Sequence, residues 1–169
     1  MSITIRKAKK GDEIGMSKVW RDGFKRKTFI YTGSTRFSNN RMKKLGKTLS
    51  SKNPDSIYFV AVDKLKQKIV AHIGYHFKKS GRDRHVIDLG WIVHPDYEGQ
   101  GIGSKMLKSI LEDAKKRGFK RAEAEMAIKN IGSWKIALKN GFKIEGIKKK
   151  ALLTDDGEYI DTYIVGKIL

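Results

Sequence analysis

The run His94-Pro95-Asp96-Tyr97-Glu98-Gly99-Gln100-Gly101-Ile102-Gly103-Ser104 sets three glycines at alternate positions, after an apolar strand-like stretch and before an amphipathic helical one. A helix start leaves main-chain N–H groups unpaired and carries partial positive charge, and together these bind phosphate oxygens. Glycines let the backbone turn with positive φ and approach a ligand with no Cβ in between. The chemistry on offer is the cradling of a diphosphate. A dinucleotide fingerprint GxGxxG starting at Gly99 needs glycine at 104, where Ser104 stands, and a P-loop needs a GK[ST] triplet that this turn lacks. A second candidate for chemistry is the pair His72 and His76, which share one face of a strand. Residues i and i+4 on a strand are far apart and no third ligand is apparent, so no metal is expected.

The elements that position this turn follow from periodicity. Residues 2–7 alternate as a first strand, and Asp12 offers a cap for a helix with Ile14, Val19 and Trp20 inward. Residues 29–40 read as loop, and a basic helix from about Arg41 to Ser51 ends before Asn53-Pro54. Strands at Ser56–Asp63, Lys68–Lys78 and His85–Val93, joined by short polar turns, form an antiparallel meander. Ile102, Met106, Leu107, Ile110, Leu111 and Ala114 recur at helical spacing up to the stop at Gly118. A strand at Lys120–Ile128, a short helix at Ile131–Lys139 closed by Asn140-Gly141, and strands around Phe142–Leu153 and Glu158–Ile168 complete the chain, with a hairpin turn at 155–157. The order predicts an α+β fold: a single mixed, mostly antiparallel twisted sheet flanked by helices. No repeat or low-complexity tract marks a boundary, so one domain over residues 1–169 is expected.

Composition narrows the setting. The chain has 169 residues and no cysteine, which excludes disulfides, thiolate metal sites and a cysteine nucleophile, and agrees with a cytoplasmic protein. The N-terminal stretch lacks the apolar core of a signal peptide, and no run approaches a membrane span, so no membrane partner is expected. The net charge is +19, and residues 1–60 hold 15 basic against 4 acidic side chains. Such a field speeds capture of anions, a phosphorylated cofactor or nucleic acid among them, and disfavours a strongly cationic peptide as substrate. Trp20 and Trp91 read as core, with Trp134, Phe24, Phe29 and Tyr31 as pocket or core.

Strand, glycine-rich turn and helix together resemble the GNAT superfamily of acyl-CoA-dependent N-acyltransferases, and the likeness covers nearly the whole chain. The family's cofactor motif, Q/R-x-x-G-x-G/A, falls on Glu98 to Gly103, with Glu98 in place of the usual Gln or Arg. Asn130-Ile131-Gly132-Ser133-Trp134, followed by Lys139-Asn140-Gly141-Phe142, resembles the segment that covers the pantetheine arm. Asp156 to Asp161 is similar to the closing hairpin of branches that modify ribosomal proteins and small amines.

The resemblance implies a GNAT acyltransferase fold and transfer of an acetyl group from acetyl-CoA to a primary amine: a small molecule, an amino acid or a protein N-terminus, with ribosome association possible. A monomer or homodimer is implied. It also implies that the diphosphate lies on Gly99, Gln100, Gly101, Ile102, Gly103 and Ser104, and that Ile92 and Val93 pair with the pantetheine amides, Val93 donating to the thioester carbonyl. Asn130 and Ser133 complete the cofactor set. A protonated amine must lose a proton before attack, and Glu125 and Asp88 are the candidate bases. Ala137 stands where related enzymes often carry a tyrosine acid, leaving Tyr159 and Tyr163 as candidates. Residues 29–40 are the expected acceptor-specificity loop. The rival expectation is a basic ribosome- or RNA-binding module on a degenerate acyltransferase fold, which the substitutions at 98 and 137 would permit.

Overall fold

The computed structural model describes residues 2–25, 39–52, 54–154 and 156–169. The expected specificity loop lies outside the described residues except for Asn39 and Asn40, which open a helix, and Phe29 and Tyr31 also lie outside them. The element order is β1 (Ile3–Lys7), α1 (Asp12–Lys25), α2 (Asn39–Ser50), β2 (Ser56–Asp63), β3 (Lys68–Phe77), β4 (Val86–Val93), a single 3₁₀ turn (Pro95–Tyr97), α3 (Ile102–Lys116), β5 (Arg121–Ala127), α4 (Ile131–Lys139), β6 (Lys143–Leu153) and β7 (Tyr159–Ile168). The strands form one sheet in the order β1-β2-β3-β4-β5-β7-β6. Every pairing is antiparallel except β4 with β5.

The two sheet faces follow strand alternation. On one face Ile73, Tyr75, Ile87, Leu89, Ala122 and Ala124 form a continuous core with Met106, Leu107, Ile110 and Ala114 of α3. The α3 stripe is buried as its period requires, and Tyr75 Oη reaches Asp113 Oδ2 of that helix at 2.8 Å. On the other face His72 of β3 meets Trp20 of α1 edge to face, with centroids 4.9 Å apart. Here α1 buries Met16 and Val19, whereas Ile14 is 65% exposed rather than inward. The expected Asp12 cap is also redirected. Its carboxylate accepts from Arg6 at 2.6 and 2.8 Å and from the Lys9 N–H, clamping β1 to the start of α1.

One parallel pairing interrupts the antiparallel sheet. β4 and β5 are in register for only three residues, Val86 with Arg121, Ile87 with Ala122 and Asp88 with Glu123. Beyond Asp88, β4 stays with β3 through Val93, while β5 stays with β7 through Ala127. The two strands therefore part, leaving a wedge between their C-terminal halves.

Candidate functional site

The wedge has polar edges. His94 N–H donates to Val70 O on β3, and His85 O accepts from Lys120 and Arg121 on the β5 side. Alternation between these two anchors turns the main-chain groups of odd-numbered β4 residues toward β5 and of even-numbered ones toward β3. Trp91 and Val93 therefore present N–H and C=O to the wedge. Ile92 directs its main chain to β3 and buries its side chain on the α1 face, so of the two expected contacts Val93 faces the wedge and Ile92 does not. Trp91 faces the wedge in its stead, and residue type gives no sign of this because it depends on strand parity.

The glycine-rich turn closes the mouth of the wedge. Tyr97, fully buried, donates its hydroxyl to Asp63 Oδ2 at 2.9 Å, fixing the 3₁₀ turn to the β2–β3 hairpin. Burial works to raise the Asp63 pKa, but hydrogen bonds from Tyr97 and from the Lys66 and Leu65 amides outweigh it and hold that pKa below its ordinary value. His94 caps the 3₁₀ turn by accepting from the Asp96 N–H, and its Nε2 lies 3.3 Å from Asp22 Oδ2 of α1. Past this anchored corner the chain turns through Gly99 and Gly101, both at φ 73°, and enters α3. A Cβ at either glycine would meet nothing within 4 Å, so the positive φ, and not crowding, calls for glycine. Among the described residues no main-chain or side-chain acceptor takes the N–H of Gly99, Gln100, Gly101, Ile102, Gly103 or Ser104. Six consecutive N–H groups at the start of a helix are thus left for an outside acceptor.

The second expected cofactor segment is tied to the first. Asn130 Oδ1 accepts from Ser133 N–H at 3.1 Å, so this asparagine and this serine form the N-cap of α4. Trp134 Nε1 donates to Ile128 O, and Ile136 Cδ1 lies 3.1 Å from the Cβ position of Gly103, setting α4 against the first turn of α3. Ala137, at the position where a tyrosine is usual, is fully buried.

The candidate proton-transfer residues divide between the faces. Asp88 and Glu123 are paired partners, and Glu125 follows on the same side as α1. Asp88 is an exposed residue, yet the packed strands strip enough water from its carboxyl to raise its pKa, with repulsion from Glu123 and Glu125 adding to the effect. Glu125 has both oxygens engaged, accepting from Thr162 Oγ1 at 2.6 Å and from Lys148 Nζ at 2.6 Å. Gly90 lies beside this group, with open space where a side chain would project. Tyr163 pairs with Met126 on the opposite face and meets Trp134 of α4 edge to face at 6.0 Å. Tyr159 lies two alternations away at the hairpin end, 58% exposed with Lys150 Nζ 5.6 Å from its ring, and is not brought to the wedge. Of these two histidines, His72 is buried with no partner for Nε2 among the described residues, and His76 is bonded to Ser56.

Comparison with known proteins bears on this arrangement. The L-amino acid N-acetyltransferase AaaT of Escherichia coli is 29% identical over 101 residues, 59% of this chain, and the match spans only 62% of that relative's length. Among solved structures, yncA from Salmonella typhimurium, a putative acetyltransferase seen with its cofactor acetyl-CoA, superposes with TM-score 0.84 at 18% identity over 100% of this chain and 95% of its own. The ribosomal-protein-S5-alanine acetyltransferase of Vibrio fischeri does so with TM-score 0.83 at 23% identity, over 99% and 93%. These likenesses establish the fold. The description of the Acetyltransferase (GNAT) family matches residues 20–142, from α1 through the wedge, the glycine-rich turn and α4, and the chain belongs to that family.

Proposed function

We propose that the protein is an acetyl-CoA-dependent N-acetyltransferase acting on a primary amine. The observation that carries this reading is the row of unpartnered amides from Gly99 to Ser104, set at the mouth of the wedge between β4 and β5. The residues present fit the donor. The positive φ at Gly99 and Gly101 turns main-chain donors outward, and open space at both positions admits a diphosphate. Glu98 is exposed and places a carboxylate near that charge, which lowers affinity without removing a main-chain donor.

When bound, acetyl-CoA supplies an acetyl group as a thioester. Trp91 and Val93 pair with its pantetheine amides as an added strand would, and Val93 N–H polarises the carbonyl. The amine approaches on the α1 face over Gly90. Asp88 takes its proton, directly or through one water, and a raised pKa makes this carboxylate a stronger base than an ordinary aspartate. Glu125, held by Thr162 and Lys148, orients the acceptor instead. Tyr163, which meets Trp134 of α4 edge to face, is the residue assigned to protonate the departing sulfur, so that attack and departure take opposite faces of the sheet. Asn130 and Ser133 contribute by capping α4.

Two comparisons bear on the acceptor class. The Escherichia coli relative is named for L-amino acids and the Vibrio fischeri neighbour for the alanine of ribosomal protein S5, so amino acids and protein N-termini lead the candidate list, with small amines third. Thermal melting with and without acetyl-CoA, followed by release of free CoA thiol across a panel of amino acids, polyamines and ribosomal peptides, tests this. A higher melting temperature and thiol release with at least one amine are expected. No stabilisation and no release, alongside a salt-sensitive shift of RNA, would favour the basic binding module.

A further inference from the structure

At the end of the sheet away from the amide cradle, the β3–β4 connection meets the C-terminus of α3. His85 O accepts there from the N–H groups of Lys120 and Arg121, and the rings of Phe77 and Phe119 pack with centroids 5.0 Å apart. The two segments so joined, residues 78–85 and 115–120, carry eight Lys or Arg side chains and one acidic one, Asp83. The negative end of a helix accounts for Lys115 and Lys116 in the last turn of α3. It does not account for Lys78, Lys79, Arg82 and Arg84, which belong to a strand connection. Between the segments lies an open hollow of about 490 Å³, lined by the half-buried rings of Phe77 and Phe119 and by Lys78, Lys79, Arg84 and Arg117. A second hollow of about 250 Å³ adjoins it through Arg117 and adds Lys7 and Lys52. None of the described residues lining either hollow is acidic. Two carboxylates stand close by, Asp83 paired with Lys78 and Asp113 accepting from Arg117 Nε at 2.8 Å. Exposed pairs of this kind hold weakly and yield to a more highly charged anion.

We infer that this groove is a binding site for single-stranded RNA, separate from the cofactor cradle and the wedge. Cations spaced along an open groove match a chain of phosphates, and partly exposed aromatic rings within it offer surfaces for bases. An acidic protein would use the cations and leave the rings idle. A duplex presents phosphates but keeps its base faces stacked inside. An anionic membrane calls for apolar side chains that insert, and none of the large exposed apolar residues lines the groove. The position separates the two sites: α3 has 15 residues, so its C-terminal end stands about 22 Å from the cradle at its start. RNA held at one end of α3 leaves the mouth of the wedge at the other end open. The inference therefore does not rest on the acetyltransferase reading. Each phosphate neutralised on a single strand adds about 0.7 to the dependence of log affinity on log salt, so four or five contacts give a slope of about −3.

The test follows the fluorescence anisotropy of a fluorescein-labelled single-stranded RNA of about 12 nucleotides as the full chain is added, at about 50 to 300 mM salt. It compares the unaltered protein with a groove variant carrying Lys79→Glu and Arg84→Glu. A control carries Lys64→Glu and Lys143→Glu, exposed residues outside the groove whose reversal removes the same net charge. The groove variant is expected to lose about tenfold or more in affinity and to show a shallower salt slope, while the control stays within about threefold of the parent. Unlabelled single strand should compete better than a duplex or polyglutamate, and saturating acetyl-CoA should not displace the RNA. Melting temperatures near the parent's establish that both variants fold. No binding of RNA, or equal losses in the groove and control variants, would overturn the inference. Displacement by acetyl-CoA would put the RNA on the cradle, and tighter binding of polyglutamate would make the partner an acidic protein; either result also overturns it. Release of CoA thiol by the same preparations should be unchanged in the groove variant, so a failure of this site and a failure of the acetyltransferase reading are told apart.

Discussion

Asn140, the C-cap of α4, donates from Nδ2 to Ser104 Oγ at 2.9 Å, joining the end of one helix to the first turn of another. The same nitrogen donates to Ile136 O at 2.8 Å, and the Asn140 carbonyl accepts from Lys167 Nζ of β7 at 2.6 Å. The side chain of Asn140 thus ties α4 to the amide cradle at the start of α3, and its main-chain carbonyl ties the same corner to β7.

Asn140→Ala removes this tie. The loss of a partly buried hydrogen-bonding side chain costs about 1 kcal/mol of stability, so thermal melting should show a drop of a few degrees. Because Ser104 belongs to the cradle, acetyl-CoA binding measured by calorimetry should weaken at the same time. Unchanged affinity would mean that the tie is structural only.

Gly101→Ala tests the cradle itself. The added methyl meets no protein atom, so the penalty in the free protein is the left-handed backbone conformation, about 1 kcal/mol. The same methyl stands where a diphosphate must approach. Affinity for acetyl-CoA is therefore expected to fall by more than that strain explains, on the order of 10- to 100-fold, with only a modest change in melting temperature.

Asp88→Asn should uncouple activity from stability. A carboxylate whose folded pKa is raised binds protons more tightly in the folded state, so it favours folding at low pH, and that advantage disappears as pH rises through the folded value. Above that window the ionised side chain is a burden. The amide variant should therefore melt higher than the parent at neutral pH, while kcat falls by about 10²- to 10⁴-fold. Steady-state rates and a melting curve on one preparation check both signs.

The fold and part of the site are legible in the sequence. Strand limits agree with alternation to within two residues, and α4 runs over Ile131–Lys139 as its flanking Asn130 and Asn140-Gly141 indicate. Phase is harder than period. Ile14, Met16, Val19 and Trp20 offer two overlapping stripes, and α1 buries Met16 and Val19, leaving Ile14 in solvent. Asn130 is ambiguous because an asparagine ahead of a helix serves equally as cap and as ligand contact. Which of Trp91, Ile92 and Val93 faces the wedge depends on the His94 to Val70 bond, which fixes strand parity and has no local signature. The hydrogen bond between Ser56 and His76 joins residues 20 apart and exists only once β2 and β3 pair.

His72 makes a separate prediction about acid stability. Burial pushes its pKa down to about 3, and its Nε2 has no partner among the described residues. An imidazole with a depressed folded pKa stabilises above its unfolded value near 6.5 and loses that contribution as pH falls toward 3. The parent should therefore lose stability progressively with falling pH across that window. His72→Leu removes the titration and the orphaned nitrogen, so denaturant unfolding at successive pH values should show a flatter acid limb.

The most direct test of the central claim is to follow main-chain amide resonances of the labelled protein by NMR while acetyl-CoA is added. The N–H signals of Gly99, Gly101 and Gly103 should move downfield together and saturate in step, as donors that gain phosphate oxygens do. Glycine signals that stay in place while acetyl-CoA binds elsewhere, or that do not respond at any concentration, would contradict it.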